Sequence, residues 1–104
     1  MGMNNRTNTV AVCKGCAADR HKKFQENNAG MKLEPGMYAK IEVEQDGKPS
    51  EHMWFIVKAS VGDDRYLGEL NNDPVGLTDI KCGDEREFEF SQVESVITLD
   101  NKML

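Results

Sequence analysis

From Met37 to Glu44 apolar and polar residues alternate. Met37, Ala39, Ile41 and Val43 share one face, and Tyr38, Lys40, Glu42 and Glu44 share the other. A period of two predicts a strand with one buried face. Gln45-Asp46-Gly47-Lys48-Pro49-Ser50 ends it, and Asp46-Gly47 is a hairpin signal. The next run, His52 to about Ala59, is apolar on both sides: Met53, Phe55, Val57 and Ala59 on one, Trp54 and Ile56 on the other. Such a strand is expected to be central in its sheet or covered by a helix. Val61-Gly62-Asp63-Asp64 predicts a turn and Arg65 to Leu70 a third strand, in which Gly68 points to a bulge or a close backbone approach. Asn71-Asn72-Asp73-Pro74 breaks the pattern, because short Asn and Asp side chains bond their own backbone and the residue before proline is pushed away from helix. Val75 to Ile80 reads as a loop that brings Leu77 and Ile80 to the core, and Lys81-Cys82-Gly83-Asp84 as another turn. Glu85 to Phe90 alternates again, with Phe88 and Phe90 inward, and Ser91 to Leu99 supplies a last short strand or turn.

Ahead of these strands, Cys16 to about Asn28 contains Ala17, Ala18, His21 and Phe24 among good helix formers and stops at Asn27-Asn28-Ala29-Gly30. A short helix closed by Gly30 is predicted. Its thin apolar face must dock on the rest of the domain, since an isolated helix of that length is marginal in water. Residues 1–12 carry no periodicity and read as a disordered arm, leaving 13–104 as one small domain. The fold class is therefore α+β: one N-terminal helix and a strongly bent antiparallel sheet, in the manner of an SH3-like partial barrel.

Composition adds bounds to this picture. A chain of 104 residues with 38% hydrophobic and 30% charged residues makes one domain and is not depleted enough in apolar residues to be disordered. Up to Lys23 five basic residues stand against one acidic residue, a balance of +4; beyond it eight stand against seventeen, a balance of −9. An acidic body repels phosphate backbones and anionic membranes and attracts a basic protein partner, although the same charge also serves solubility alone. Three cysteines cannot all pair within one chain, which points to a reducing compartment, and Met1 to Val12 holds no apolar stretch of a secretory signal. No segment approaches the roughly 20 apolar residues of a membrane span. The expected location is cytoplasmic, with no membrane and no nucleic acid among the partners.

Glu51-His52-Met53-Trp54, a Gly-containing strand running into Asn71-Asn72-Asp73-Pro74, Lys81-Cys82-Gly83-Asp84-Glu85-Arg86-Glu87-Phe88 and Asn101-Lys102-Met103 together resemble the bacterial family catalogued as domain of unknown function 2314 (YegJ-like), over residues 24–103. The resemblance implies an α+β domain with a leading helix and a bent antiparallel sheet, and brings no established activity. Where that family tends to carry an Asp-Trp pair near the end, this chain has Ser95-Val96.

Three constellations carry chemistry. Glu51, His52 and Trp54 with Asn71, Asn72 and Asp73 form a candidate recognition patch, because aromatic residues dominate binding hot spots and amides supply adaptable hydrogen bonds. Alternatively Trp54 packs under the helix and the asparagines cap a turn. Pairing His52 with Asp73 as base and orienter suggests an enzyme, but no nucleophile lies nearby in sequence, so a non-catalytic module is expected. Cys13-Lys14-Gly15-Cys16 has zinc-knuckle spacing, with His21 and Cys82 as further candidate ligands; a single such pair is weak, and no cofactor or metal is expected. The function that follows is a protein-binding module with an acidic surface; the alternative is a zinc-binding module built on Cys13 and Cys16.

Overall fold

A computed structural model describes residues 19–104. The arm expected over residues 1–12, and the start of the predicted helix at 16–18, lie outside the described residues. Helix α1 covers 19–27 and ends in a turn where the Asn28 N–H and side-chain amide both donate to Phe24 O at 3.0 Å. Gly30 then takes φ +83°, a conformation that side chains with a Cβ resist.

Five strands follow among the described residues: β1 (Tyr38–Val43), β2 (Glu51–Gly62), β3 (Arg65–Leu70), β4 (Glu85–Glu89) and β5 (Val93–Ile97). They form one sheet in the order β4-β3-β2-β1-β5, and every neighbouring pair is antiparallel. The turns expected at 45–48 and 81–84 are present, with Gly47 and Gly83 at φ +80° and +97° in their third positions, whereas the one expected over Val61–Asp64 shrinks to Asp63-Asp64 because Val61 and Gly62 extend β2. The Lys48 N–H to Gln45 O and Asp84 N–H to Lys81 O bonds close those two turns at 3.1 and 3.0 Å.

The two sheet edges, β4 and β5, are joined by a single 3-10 turn, Phe90–Gln92. In a flat sheet four strand spacings would separate them by about 19 Å, whereas three 3-10 residues rise only about 6 Å. The sheet must therefore roll until its edges meet at that corner. No ladder joins β4 to β5, so the rolled sheet is not closed into a barrel. Three register shifts help it bend. Val57 faces Gly68 and Ala59 faces Leu67, leaving Lys58 extra on β2, and Lys40 faces Ser95 while Ile41 faces Val93, leaving Glu94 extra on β5. The third is at the end of the β2–β3 hairpin, where Ser60 faces Tyr66 and Gly62 faces Arg65. Opposite the first bulge, a Cβ on Gly68 would stand 2.9 Å from Phe88 Cε2 and 3.1 Å from Phe55 Cβ, so the close approach read from the sequence is present.

Inside the roll lie Met37, Ala39, Ile41, Met53, Phe55, Val57, Tyr66, Leu70, Phe88, Val93 and Val96, with Leu77 and Ile80 brought in by the loop after β3. Helix α1 lies over the 3-10 turn. Its buried Phe24 packs on Phe90 at 5.8 Å between ring centroids, and Gln25 Nε2 donates to Phe90 O and Val93 O at 2.7 and 2.8 Å. Two expectations need correction. Phe90 is buried as foreseen but belongs to the 3-10 turn, because the chain must leave one edge of the sheet there to reach the other. Strand β2 is central in the sheet yet is not covered on both faces: Trp54 and Ile56 are only half-buried, since the helix packs at the corner and not over them.

Candidate binding site

The uncovered face of β1 and β2 is a row of cross-strand pairs: Tyr38 with Ile56, Lys40 with Trp54 and Glu42 with His52. All six side chains are half-buried. Lys40 Nζ lies 5.8 Å from the Trp54 ring centroid, within cation–π range.

The asparagine turn sits beside Trp54. Phe55 and Leu70 are the last paired residues of β2 and β3, and past them the chain continues the ladder by other means. Asn71 N–H donates to Trp54 O at 2.9 Å, and Trp54 N–H donates to Asn72 Oδ1 at 2.6 Å, an amide side chain standing in for the carbonyl of a longer strand. The Asn72 oxygen is thus engaged in architecture, while Asn71 and Asp73 are exposed. Glu51 is engaged likewise: its carboxylate accepts from the backbone N–H groups of Val75, Gly76 and Leu77 at 2.8, 2.6 and 3.1 Å. Burial alone would push the Glu51 carboxyl up; the three donors together outweigh it and hold the group below its ordinary value.

His52 turns away from this turn toward β5. Its Nδ1 lies 2.9 and 2.7 Å from Glu94 Oε1 and Oε2, and no hydrogen bond joins it to Asp73 among the described residues. Glu94 is the one buried charged residue of the described chain, at 8% exposure. The bulge on β5 is what aims it, since an extra residue breaks the alternation that would otherwise govern its direction. Glu42 completes the group. One ligand atom from each of Glu42, His52 and Glu94 lies within 4.8 Å of the others, and Ser50 Oγ–H donates to Glu42 Oε2. Sequence reading missed both glutamates. A signal existed for one: Val93 and Val96, buried three apart, break the period of two around Glu94.

A second feature opens where β1 passes over β4. A cleft of about 250 Å³ has the buried Ile41, Phe55, Ile80 and Phe88 in its lining, with Glu42, Glu44, Asp79 and Glu87 around them. Gln45 fixes one side of it by accepting from the Thr78 and Asp79 N–H groups at 2.8 and 3.0 Å and donating to Thr78 Oγ1 at 2.8 Å. Arg86, also in the lining, is held to backbone oxygens of Asp79 and Glu85 at 3.1 and 2.9 Å. Glu87 pairs with Arg65 at 3.1 Å, whereas Glu44 and Asp79 make no ion pair among the described residues.

Of the candidate zinc ligands, Cys13 and Cys16 lie outside the described residues. His21 Nε2 is 2.8 Å from Ser91 O, and Cys82 is free and exposed on its turn. No helix among the described residues is long and apolar enough to cross a membrane. No family model matches this chain, and neither does any curated protein or solved structure.

Proposed function

We propose that this chain is a small, non-catalytic, cytoplasmic module that binds a basic segment of another protein, on a sheet rolled into an SH3-like partial barrel. The observation that carries the reading is the cleft, apolar within and bordered by four acidic residues against one basic residue, Arg86, whose guanidinium is already held to backbone oxygens. An Arg or Lys side chain suits such a site, because its aliphatic stem covers apolar surface while its charged head stays among carboxylates. The half-buried Trp54 with Lys40 and Asn71 beside it offers a second contact for the same partner, of the aromatic kind that anchors interfaces. What supports the partial barrel is the single 3-10 turn between the sheet edges. Kinship with the domain of unknown function 2314 family belongs to the same proposal and rests on the sequence segments Glu51–Trp54, Asn71–Pro74, Lys81–Phe88 and Asn101–Met103 alone. Exclusion of nucleic acid rests on the acidic body.

An array of short peptides graded in net charge and apolar content tests this. Binding should concentrate in peptides with Arg or Lys flanked by apolar residues and should fall at least about tenfold in a Glu44→Lys, Asp79→Lys double variant, roughly the cost of two rim charges. Equal capture of acidic and basic peptides, or full binding by the double variant, would overturn the reading.

A further inference from the structure

We propose that Glu42, His52 and Glu94 hold a divalent transition-metal cation. The three side chains arrive from three different strands, β1, β2 and β5, and the bulge that turns Glu94 toward the group has no other partner for it among the described residues. A carboxylate at 8% exposure faces a second carboxylate and one imidazole, so two carboxylates share a single side chain able to carry positive charge. A divalent cation balances both carboxylates. The imidazole and the burial separate this group from the many solvated acids of the surface.

One nitrogen and two carboxylate oxygens form a donor set of intermediate hardness, which suits zinc, cobalt, manganese or iron(II) better than calcium or a thiolate-preferring ion. The present 2.7 Å between His52 Nδ1 and Glu94 Oε2 is a hydrogen-bond distance. Two ligands of a tetrahedral ion with bonds near 2.0–2.1 Å stand about 3.3 Å apart, so loading needs His52 and Glu94 to part slightly, Glu42 to close in from within 4.8 Å, and the loss of the Nδ1 proton. Ser50 already orients the third ligand by holding Glu42 Oε2, which leaves Oε1 to coordinate. The His52 side chain is 28% exposed, giving the ion a path in and leaving room for water as a fourth ligand. Because the ion would tie β5 to β1 and β2, binding also stabilises the fold.

Cobalt(II) titrated into the full-length chain is the test, since its visible absorption separates nitrogen and oxygen ligands from thiolates. One cobalt per chain is expected, with no thiolate charge-transfer band and an upward shift in melting temperature. His52→Gln, Glu94→Gln and Glu42→Gln should each weaken binding by more than about 100-fold, and Ser50→Ala by about tenfold, the range for a supporting contact. Glu42→Gln alters a half-buried strand position and keeps the test valid if the Glu94 variant does not fold. Absence of binding by the unaltered chain, a spectrum dominated by thiolate charge transfer, or a signal that survives Glu42→Gln would overturn the assignment. Glu42 borders the cleft as well, so peptide capture is judged separately with the Glu44→Lys, Asp79→Lys variant, which leaves all three metal ligands in place.

Discussion

Glu51 illustrates how one side chain can read as a recognition residue and serve as a brace. Its carboxylate collects three backbone N–H groups of the loop at 75–77 and thereby fixes the segment that delivers Leu77 and Ile80 to the core. Because the folded carboxyl is held below its ordinary value, its contribution is fully present above the unfolded carboxyl range and is lost as pH falls through the lower folded value. Glu51→Gln should therefore cost about 1–2 kcal/mol at neutral pH, and the gap to the unaltered chain should close on acidification. Urea unfolding of both proteins at about pH 7 and about pH 3, on either side of the carboxyl range, checks it. Gly68 is a second single-residue test. Its missing side chain lets Phe88 and Phe55 meet over β3, so Gly68→Ala should destabilise by about 1–3 kcal/mol through overpacking. A urea midpoint unchanged from the parent would refute the close approach.

At the scale of elements, the corner is the point where the fold is assembled. What holds the described part of the helix, 19–27, is Phe24 on Phe90 together with Gln25 bridging two carbonyls at the 3-10 corner. Gln25→Ala should lower stability by about 1–2 kcal/mol, the net worth of two such bonds, and should speed amide exchange in α1 before it affects β2, which hydrogen exchange resolves. The strand from Met37 onward was legible in the sequence because one of its faces is buried: Met37, Ala39 and Ile41 are buried and alternate with half-buried neighbours, since burial acts on every second residue. Less legible was β2. Its two-sided apolar run suggested cover on both faces, but Trp54 and Ile56 are left half-open, since a run of apolar residues records hydrophobicity and not which neighbour, if any, arrives to cover it.

For the molecule as a whole, charge is the dominant long-range feature. Thirteen basic residues stand against eighteen acidic ones, a net charge of −5, and a field of that sign extends over about 8 Å at physiological ionic strength. Association with an Arg-containing peptide should slow severalfold as salt rises from about 50 to about 500 mM, with a smaller change in dissociation, because steering by the whole body acts on encounter more than on the docked state. Stopped-flow measurement at several salt concentrations would show it; a salt-independent association rate would exclude steering.

The alternation of residues was enough to determine that this chain forms antiparallel strands with Gly-bearing turns and one short helix, because those preferences act locally, over two to four residues. It was also enough to put Asn71 and Asn72 next to Trp54, since strands joined by a tight turn pair with each other. The return of β5 to β1, the bulge at Glu94 and the resulting meeting of Glu94 with His52, 42 positions apart, were decided only by the rolling of the sheet. Periodicity specifies a face; which distant strand closes against it depends on how the whole core packs.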